Sequence, residues 1–170
     1  TRIATPFEDV FLATRDSRVI ALSYGEDEGR FFREIGHLGD PVYDERALRP
    51  IARQIDEYFS GTRTRFDVEV DLSGLTPFQQ SVLRATLGIP YGMVRTYKEV
   101  AELVGRPGAF RAVGTALGNN PVGIIVPCHR VIASDGSLGG YSAVGGIDTK
   151  RRLLELEGVD LRRYARRRSG

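Results

Sequence analysis

The chain predicts an α+β fold in two parts. A small N-terminal sheet-and-helix domain is expected over residues 1–75. A mostly helical C-terminal domain with a helix-turn-helix follows over residues 76–158, and residues 159–170 read as a basic tail. Three observations lead there. The first part mixes short stretches of period-2 alternation with one strong helical period. From Thr76 onward apolar residues recur at helical spacing, and a Gly-containing turn joins two short helices. Charge divides at the same place: residues 1–75 hold 10 basic and 15 acidic side chains, a net of −5, while residues 76–170 hold 14 and 7, a net of +7. A basic half suits a polyanionic partner.

Taken in order, Phe11-Leu12-Ala13-Thr14 and Val19 to Tyr24 read as strands of a meander, with turn residues at Asp9 and Arg15-Asp16-Ser17. Residues 29–38 carry Phe31, Phe32, Ile35 and Leu38 at the spacing of a short amphipathic helix. Asp44 caps a longer one, in which Leu48, Ile51, Ala52, Ile55, Tyr58 and Phe59 share a face and Gly61 marks the end. Phe66, Val68 and Val70 alternate with Asp67, Glu69 and Asp71, the pattern of a half-exposed strand. No chemistry is evident in this part, and His37 reads as a loop histidine.

Ser73-Gly74-Leu75 forms the junction. Thr76-Pro77 opens a helix to Leu87 that is expected to bury Phe78, Val82, Leu83 and Leu87, with proline where its missing N–H costs nothing. Thr96 and Glu99 fit a capping box for a helix burying Val100, Ala101, Leu103 and Val104. Gly105-Arg106-Pro107-Gly108 turns the chain into a second helix, Ala109 to Leu117. That helix offers Arg111 and Thr115 among small residues, Ala112 and Gly114 included. A major-groove reader needs more polar side chains, whereas small residues let a backbone approach a narrow groove, so the minor groove is the better fit. A packed helix with Arg111 on the surface is the plain alternative. Residues 133–142 are Gly-rich and polar, a hairpin and flexible loop. Asp148 is read as the cap of a last helix, Thr149 to Glu157, closed by Gly158. The arginines at 162, 163, 166, 167 and 168 form a tail expected to be disordered.

The chemistry centres on Asn119 to Ile132. The only cysteine of 170 residues, Cys128, follows an apolar run and Pro127, which read as a strand presenting the thiol at its tip. A free thiol is mostly neutral at pH 7 and needs a partner to become a nucleophile; His129 is beside it. A buried structural cysteine is the competing reading. One cysteine makes no internal disulfide, and with only His37 and His129 it builds no zinc site. A working thiol and the absence of disulfides point to a reducing, cytoplasmic setting. No apolar run approaches the length of a membrane span.

Pro127-Cys128-His129-Arg130-Val131 resembles the active-site signature of the methylated-DNA–protein-cysteine methyltransferases, also called O6-alkylguanine-DNA alkyltransferases, and the resemblance runs from Thr76 to Gly158. It implies a DNA-repair protein that moves the alkyl group of O6-alkylguanine in double-stranded DNA, with O4-alkylthymine as a second candidate substrate, irreversibly onto Cys128 in a single turnover, with no metal and no cofactor. It implies that Glu157, 29 residues after Cys128, accepts a hydrogen bond from His129, with Glu155 as the rival position. Asn120 would link the helix pair to the cysteine loop. Arg111 would fill the gap left by an extruded nucleotide, and Tyr97 would rotate the adjoining phosphate and contact the flipped base. Val131, Tyr141 and Ser142 would line the base pocket. Similar proteins carry a tryptophan about where Leu83 stands; this chain has none. A monomer is expected. A non-enzymatic binder of damaged DNA and a Cys–His hydrolase remain as alternatives, the first weakened by Cys128 and the second by the absence of a further histidine except His37.

Overall fold

A computed structural model of the chain describes residues 2–5, 9–25, 28–39 and 42–165. The chain divides into two compact units, Thr1–Leu72 with Pro121–Gly123, and Ser73–Asn120 with Ile124–Gly170.

In the first unit, β1 (Arg2–Ile3), β2 (Val10–Arg15) and β3 (Arg18–Tyr24) form an antiparallel sheet in that order. Asp16 and Ser17 turn the β2–β3 hairpin with φ of 49° and 64°. Two left-handed central residues match the right-handed twist of the flanking strands, which explains a two-residue turn at this spot. α1 (Glu28–Ile35) places Phe31 and Ile35 against Phe11 and Ala21, with the Phe11 and Phe31 rings stacked at 5.6 Å. Phe32, expected on the same face, is 41% exposed. α2 (Glu45–Phe59) starts where the cap predicts: the Ala47 amide donates to Asp44 Oδ1 at 3.1 Å. Leu48, Ile51, Ile55, Tyr58 and Phe59 are buried, and Gly61 (φ 74°) follows the helix end. The stretch 66–70 keeps its expected alternation of exposure but is not a regular strand; only Val70 bridges, in parallel, to Val19.

In the second unit, α3 (Pro77–Leu87) is opened by Thr76 in a reciprocal capping box with Gln79. Val82 and Leu83 are buried, but Leu87 is exposed and Thr86 is buried in its place, its hydroxyl donating to the Val82 carbonyl at 2.8 Å. β4 (Arg95–Thr96) leads into α4 (Tyr97–Leu103), capped as predicted: the Glu99 amide donates to Thr96 Oγ1, and the Thr96 amide to Glu99 Oε2. Val100 and Ala101 are buried, whereas Leu103 is 58% exposed and lies off the buried face. After the Gly105 turn comes α5 (Phe110–Gly118), which packs on α3 and α4 through Val113, Ala116 and Leu117.

The run before Cys128 is not a strand. Ile124 takes φ 66°, and Cys128–Arg130 form a single 3₁₀ turn ahead of β5 (Val131–Ile132). β5 pairs in parallel with β4, Arg95 opposite Val131. Ile124, Val126 and Val131 are fully buried, so the apolar run reported burial rather than an extended backbone. α6 (Gly146–Leu156) begins earlier than the Asp148 cap would place it: Gly145, at φ 78°, is the N-cap residue, and Asp148 sits in the first turn paired with Arg151. The segment expected to be a disordered tail is helical over α7 (Leu161–Ala165), and Leu161 and Tyr164 pack on Ile132, Leu154 and Val159. Arg166, Arg167 and Arg168 lie outside the described residues. No helix among the described residues is long and apolar enough to cross a membrane.

Candidate active site and nucleic-acid interface

Cys128 is buried at 8% exposure and lines the wall of a cavity of about 510 Å³. The same cavity is lined by Tyr97 of α4, by Phe110, Arg111, Gly114 and Gly118 of α5, and by Gly140, Tyr141 and Ser142 of the following loop. Cys128, the helix pair and the Gly-rich loop therefore converge on one space.

Asn120 ties the end of α5 to the cysteine turn. Its Nδ2 donates to the Val126 carbonyl at 2.9 Å and to Cys128 Sγ at 3.3 Å. Burial pushes the Cys128 thiol up from its ordinary pKa, against the Asn120 hydrogen bond and the Lys150 charge, which favour the thiolate. The resting form is a neutral thiol, so a base must act on it when substrate is present.

His129, next in the chain, is the candidate for that base. It is fully buried, and its Nε2 lies 2.8 Å from Glu157 Oε1. Burial lowers the pKa of His129; Glu157 opposes this, while Arg130 and Lys150 reinforce it, and the net direction is downward. The imidazole is neutral at neutral pH. An ionised carboxylate only accepts hydrogen bonds, so Nε2 carries the proton and Nδ1 is left as the acceptor. Nδ1 is buried and makes no hydrogen bond to any of the described residues.

Glu157 is the C-cap of α6 and is 4% exposed. It accepts from His129 Nε2, from Arg130 Nε and Nη2 at 2.8 Å each to its nearer oxygens, and from the Gly92 amide at 3.2 Å. Burial alone would raise its pKa, but the hydrogen bonds from His129 and Arg130 outweigh burial and hold it down to about 2. Gly92 has φ 74°, and a Cβ there would stand 3.1 Å from the Glu157 carbonyl, so glycine lets this backbone come close. Glu155, the rival, is exposed.

Two charged residues in this site escaped the sequence reading. Arg130 is buried, forked onto Glu157, and donates from Nη1 to the Ile89 carbonyl at 2.6 Å. Lys150 is fully buried, and its Nζ donates to the carbonyls of Val131 at 2.6 Å, Leu138 at 2.5 Å and Gly140 at 3.3 Å. Burial lowers its pKa to about 8, with Cys128 opposing. Its ammonium also stands 5.7 Å from the Tyr97 ring centroid. One signal was available: the chain has two lysines among 24 basic residues, and a tetrahedral ammonium suits three converging carbonyls better than a planar guanidinium does.

Lys150 thereby secures both ends of the 131–140 segment, and that segment packs on Tyr97. A Cβ at Gly139 would lie 2.8 Å from the Tyr97 hydroxyl, and Gly139 has φ 68°. Only glycine allows this approach. Val131 does not line the cavity; it is fully buried and its carbonyl is engaged by Lys150. On α5, Arg111, Ala112 and Thr115 are exposed and Gly114 is half-buried against Tyr97, while Ala112 and Thr115 lie outside the cavity lining. His37 is exposed in the first unit, far from this chemistry in the chain. No group of three or more His, Cys, Asp or Glu among the described residues could hold a metal ion.

Residues 77–159 match the family model described as 6-O-methylguanine DNA methyltransferase, DNA binding domain, and residues 1–72 match its ribonuclease-like domain. A methylated-DNA–protein-cysteine methyltransferase of Methanosarcina barkeri is 43% identical over 94% of this chain and 97% of its own. One of Mycobacterium tuberculosis is 56% identical over 67% of each chain. A Mycobacterium tuberculosis OGT, crystallised in complex with DNA, superposes with a TM-score of 0.80 at 46% identity, covering 92% of this chain and 90% of that one. An O6-methylguanine-DNA methyltransferase from Pyrococcus kodakaraensis superposes with a TM-score of 0.66 at 29% identity, over 94% and 98% of the two chains.

Proposed function

Because this chain belongs to the methylated-DNA–protein-cysteine methyltransferase family, we propose that it repairs duplex DNA by taking the alkyl group of O6-alkylguanine onto Cys128, once per molecule. The observation that carries the reading is one cavity lined by Cys128, Tyr97, Arg111 and the 140–142 loop, with the next residue in the chain, His129, buried in a pair with Glu157.

The O6 atom of guanine is out of reach inside a stacked pair, so the base must be turned out, at a cost of about a few kcal/mol. α5 approaches the minor groove along its exposed small residues, Arg111 occupies the gap in the stack, and the extruded purine enters the cavity between Tyr97 and Ser142. His129 Nδ1, directly or through one water, takes the Cys128 proton. The thiolate attacks the alkyl carbon; the S–C bond forms as the C–O6 bond breaks. Negative charge passes to the guanine ring, where the Tyr97 hydroxyl and the loop amides support it, and the proton returns to that base. Thiol and O6-alkylguanine thus become thioether and guanine, with no cofactor or metal. The thioether does not hydrolyse, so each molecule acts once, as a monomer, in a reducing compartment.

Mixing the protein with duplex DNA containing O6-methylguanine tests this by intact and peptide mass. One methyl replacing the thiol hydrogen, confined to the Cys128 peptide and saturating at one per chain, is the expected result. Cys128→Ala is expected to show no gain. Turnover beyond one equivalent, or methyl on another residue, overturns the reading. The same DNA with an O4-methylthymine in place of the modified guanine determines whether that base is also a substrate.

A further inference from the structure

The exposed face of α5 consists of Phe110, Arg111, Ala112, Thr115 and Gly118. Three of these are small, so the only large side chains the helix turns outward are the first two, side by side at its N-terminal end. Phe110 is 46% exposed, so nearly half of its surface is left uncovered. The Arg111 guanidinium carbon lies 5.6 Å from the centroid of its ring, and both residues stand at the rim of the Cys128 cavity.

Turning one nucleotide out of a duplex leaves more than one unstacked surface. The gap itself needs a filler, and the base pair beside it loses a stacking partner. A planar cation suits the first, and an apolar ring suits the second. Proteins that open the minor groove commonly insert such an apolar wedge between base steps, and base–aromatic stacking tolerates any sequence because every base offers a π-face. Resting on the alkyltransferase reading, we propose that Phe110 is a second wedge, stacking on a nucleobase of the duplex beside the position of Arg111 and holding the guanidinium ready for entry.

A wedge acts only when a stack exists, and this separates it from a pocket wall. The test compares second-order rates of alkyl transfer to Cys128 from duplex DNA carrying O6-methylguanine and from free O6-benzylguanine, in the full chain. For Phe110→Ala the ratio of duplex rate to free-base rate is expected to fall about tenfold, the scale of one lost stacking contact. Phe110→Leu is expected to lose part of that, and Phe110→Tyr to restore the ratio. Thermal melting checks that the variants fold. An unchanged ratio in Phe110→Ala overturns the proposal, whether both rates fall together, as for a cavity wall, or neither falls. No transfer from duplex DNA by the unsubstituted protein overturns the alkyltransferase reading itself, and this inference with it.

Discussion

Glu157→Gln is expected to destabilise the fold by about 3–5 kcal/mol, because it leaves the buried Arg130 guanidinium without its counter-charge. The carboxylate accepts from Arg130 Nε and Nη2, His129 Nε2 and the Gly92 amide, all donors. A glutamine amide answers them with one oxygen and an NH₂ group, so at least one donor meets a donor inside a site from which water is excluded. The reaction suffers as well. Without an anion at Nε2, the His129 proton has no fixed nitrogen, and Nδ1 is no longer held as the acceptor; general-base catalysis of this kind contributes about 10²–10⁴-fold. Denaturant unfolding and single-turnover methyl transfer measure the two effects. Unaltered stability together with an unaltered rate would sink the proposed relay.

The acid limb of stability follows from the same group. Glu157 has a folded pKa of about 2, below its ordinary 4.5. Its contribution is therefore complete above the unfolded value and drains away as pH falls through the folded one. Between these two values the native protein is expected to lose stability more steeply than Glu157→Gln, which has no such proton to bind.

Arg111→Ala carries the second large effect, a fall of about 10²-fold in transfer from duplex DNA. Extruding a base costs about a few kcal/mol, and a residue that fills the gap offsets a comparable part, at about 1.4 kcal/mol for each factor of ten. Arg111 is exposed on α5 at the cavity rim, so removing it leaves the core packing of Val113, Ala116 and Leu117 intact. A single strand has no stack to repair. The loss on single-stranded substrate is expected to be much smaller than on duplex, and kinetics on matched strands decides the matter. Equal losses on both would show that Arg111 acts on the chemistry or on general phosphate attraction instead.

Where local rules govern, the sequence was legible. Asp44, Thr76 and Thr96 each cap the helix they were expected to cap, and the alternation in residues 10–24 becomes β2 and β3. The misreadings share a cause. The run before Cys128 resembled a strand because unbroken apolar residues signal burial without fixing a period, and the left-handed turn at Ile124 has no local marker. Leu87 and Leu103 belonged to helical stripes by spacing, yet helix packing left them outside. The segment from Leu161 became a helix because Leu161 and Tyr164 find apolar partners on Ile132 and Val159, which charge counting could not reveal. Arg130 and Lys150 were hidden for a related reason. A buried charge is legible only through its partners, and these lie 27 residues away for Arg130–Glu157 and 10 to 19 away for the carbonyls around Lys150.

The contrast between the two lysines has a practical corollary. Lys98 faces solvent, while the Lys150 amine is enclosed by the carbonyls of Val131, Leu138 and Gly140. Acylating reagents will mark the first at once and can reach the second only when that stretch swings aside. The lag between the two labels is thus a built-in stopwatch for breathing of the segment that Lys150 holds beside the Cys128 cavity.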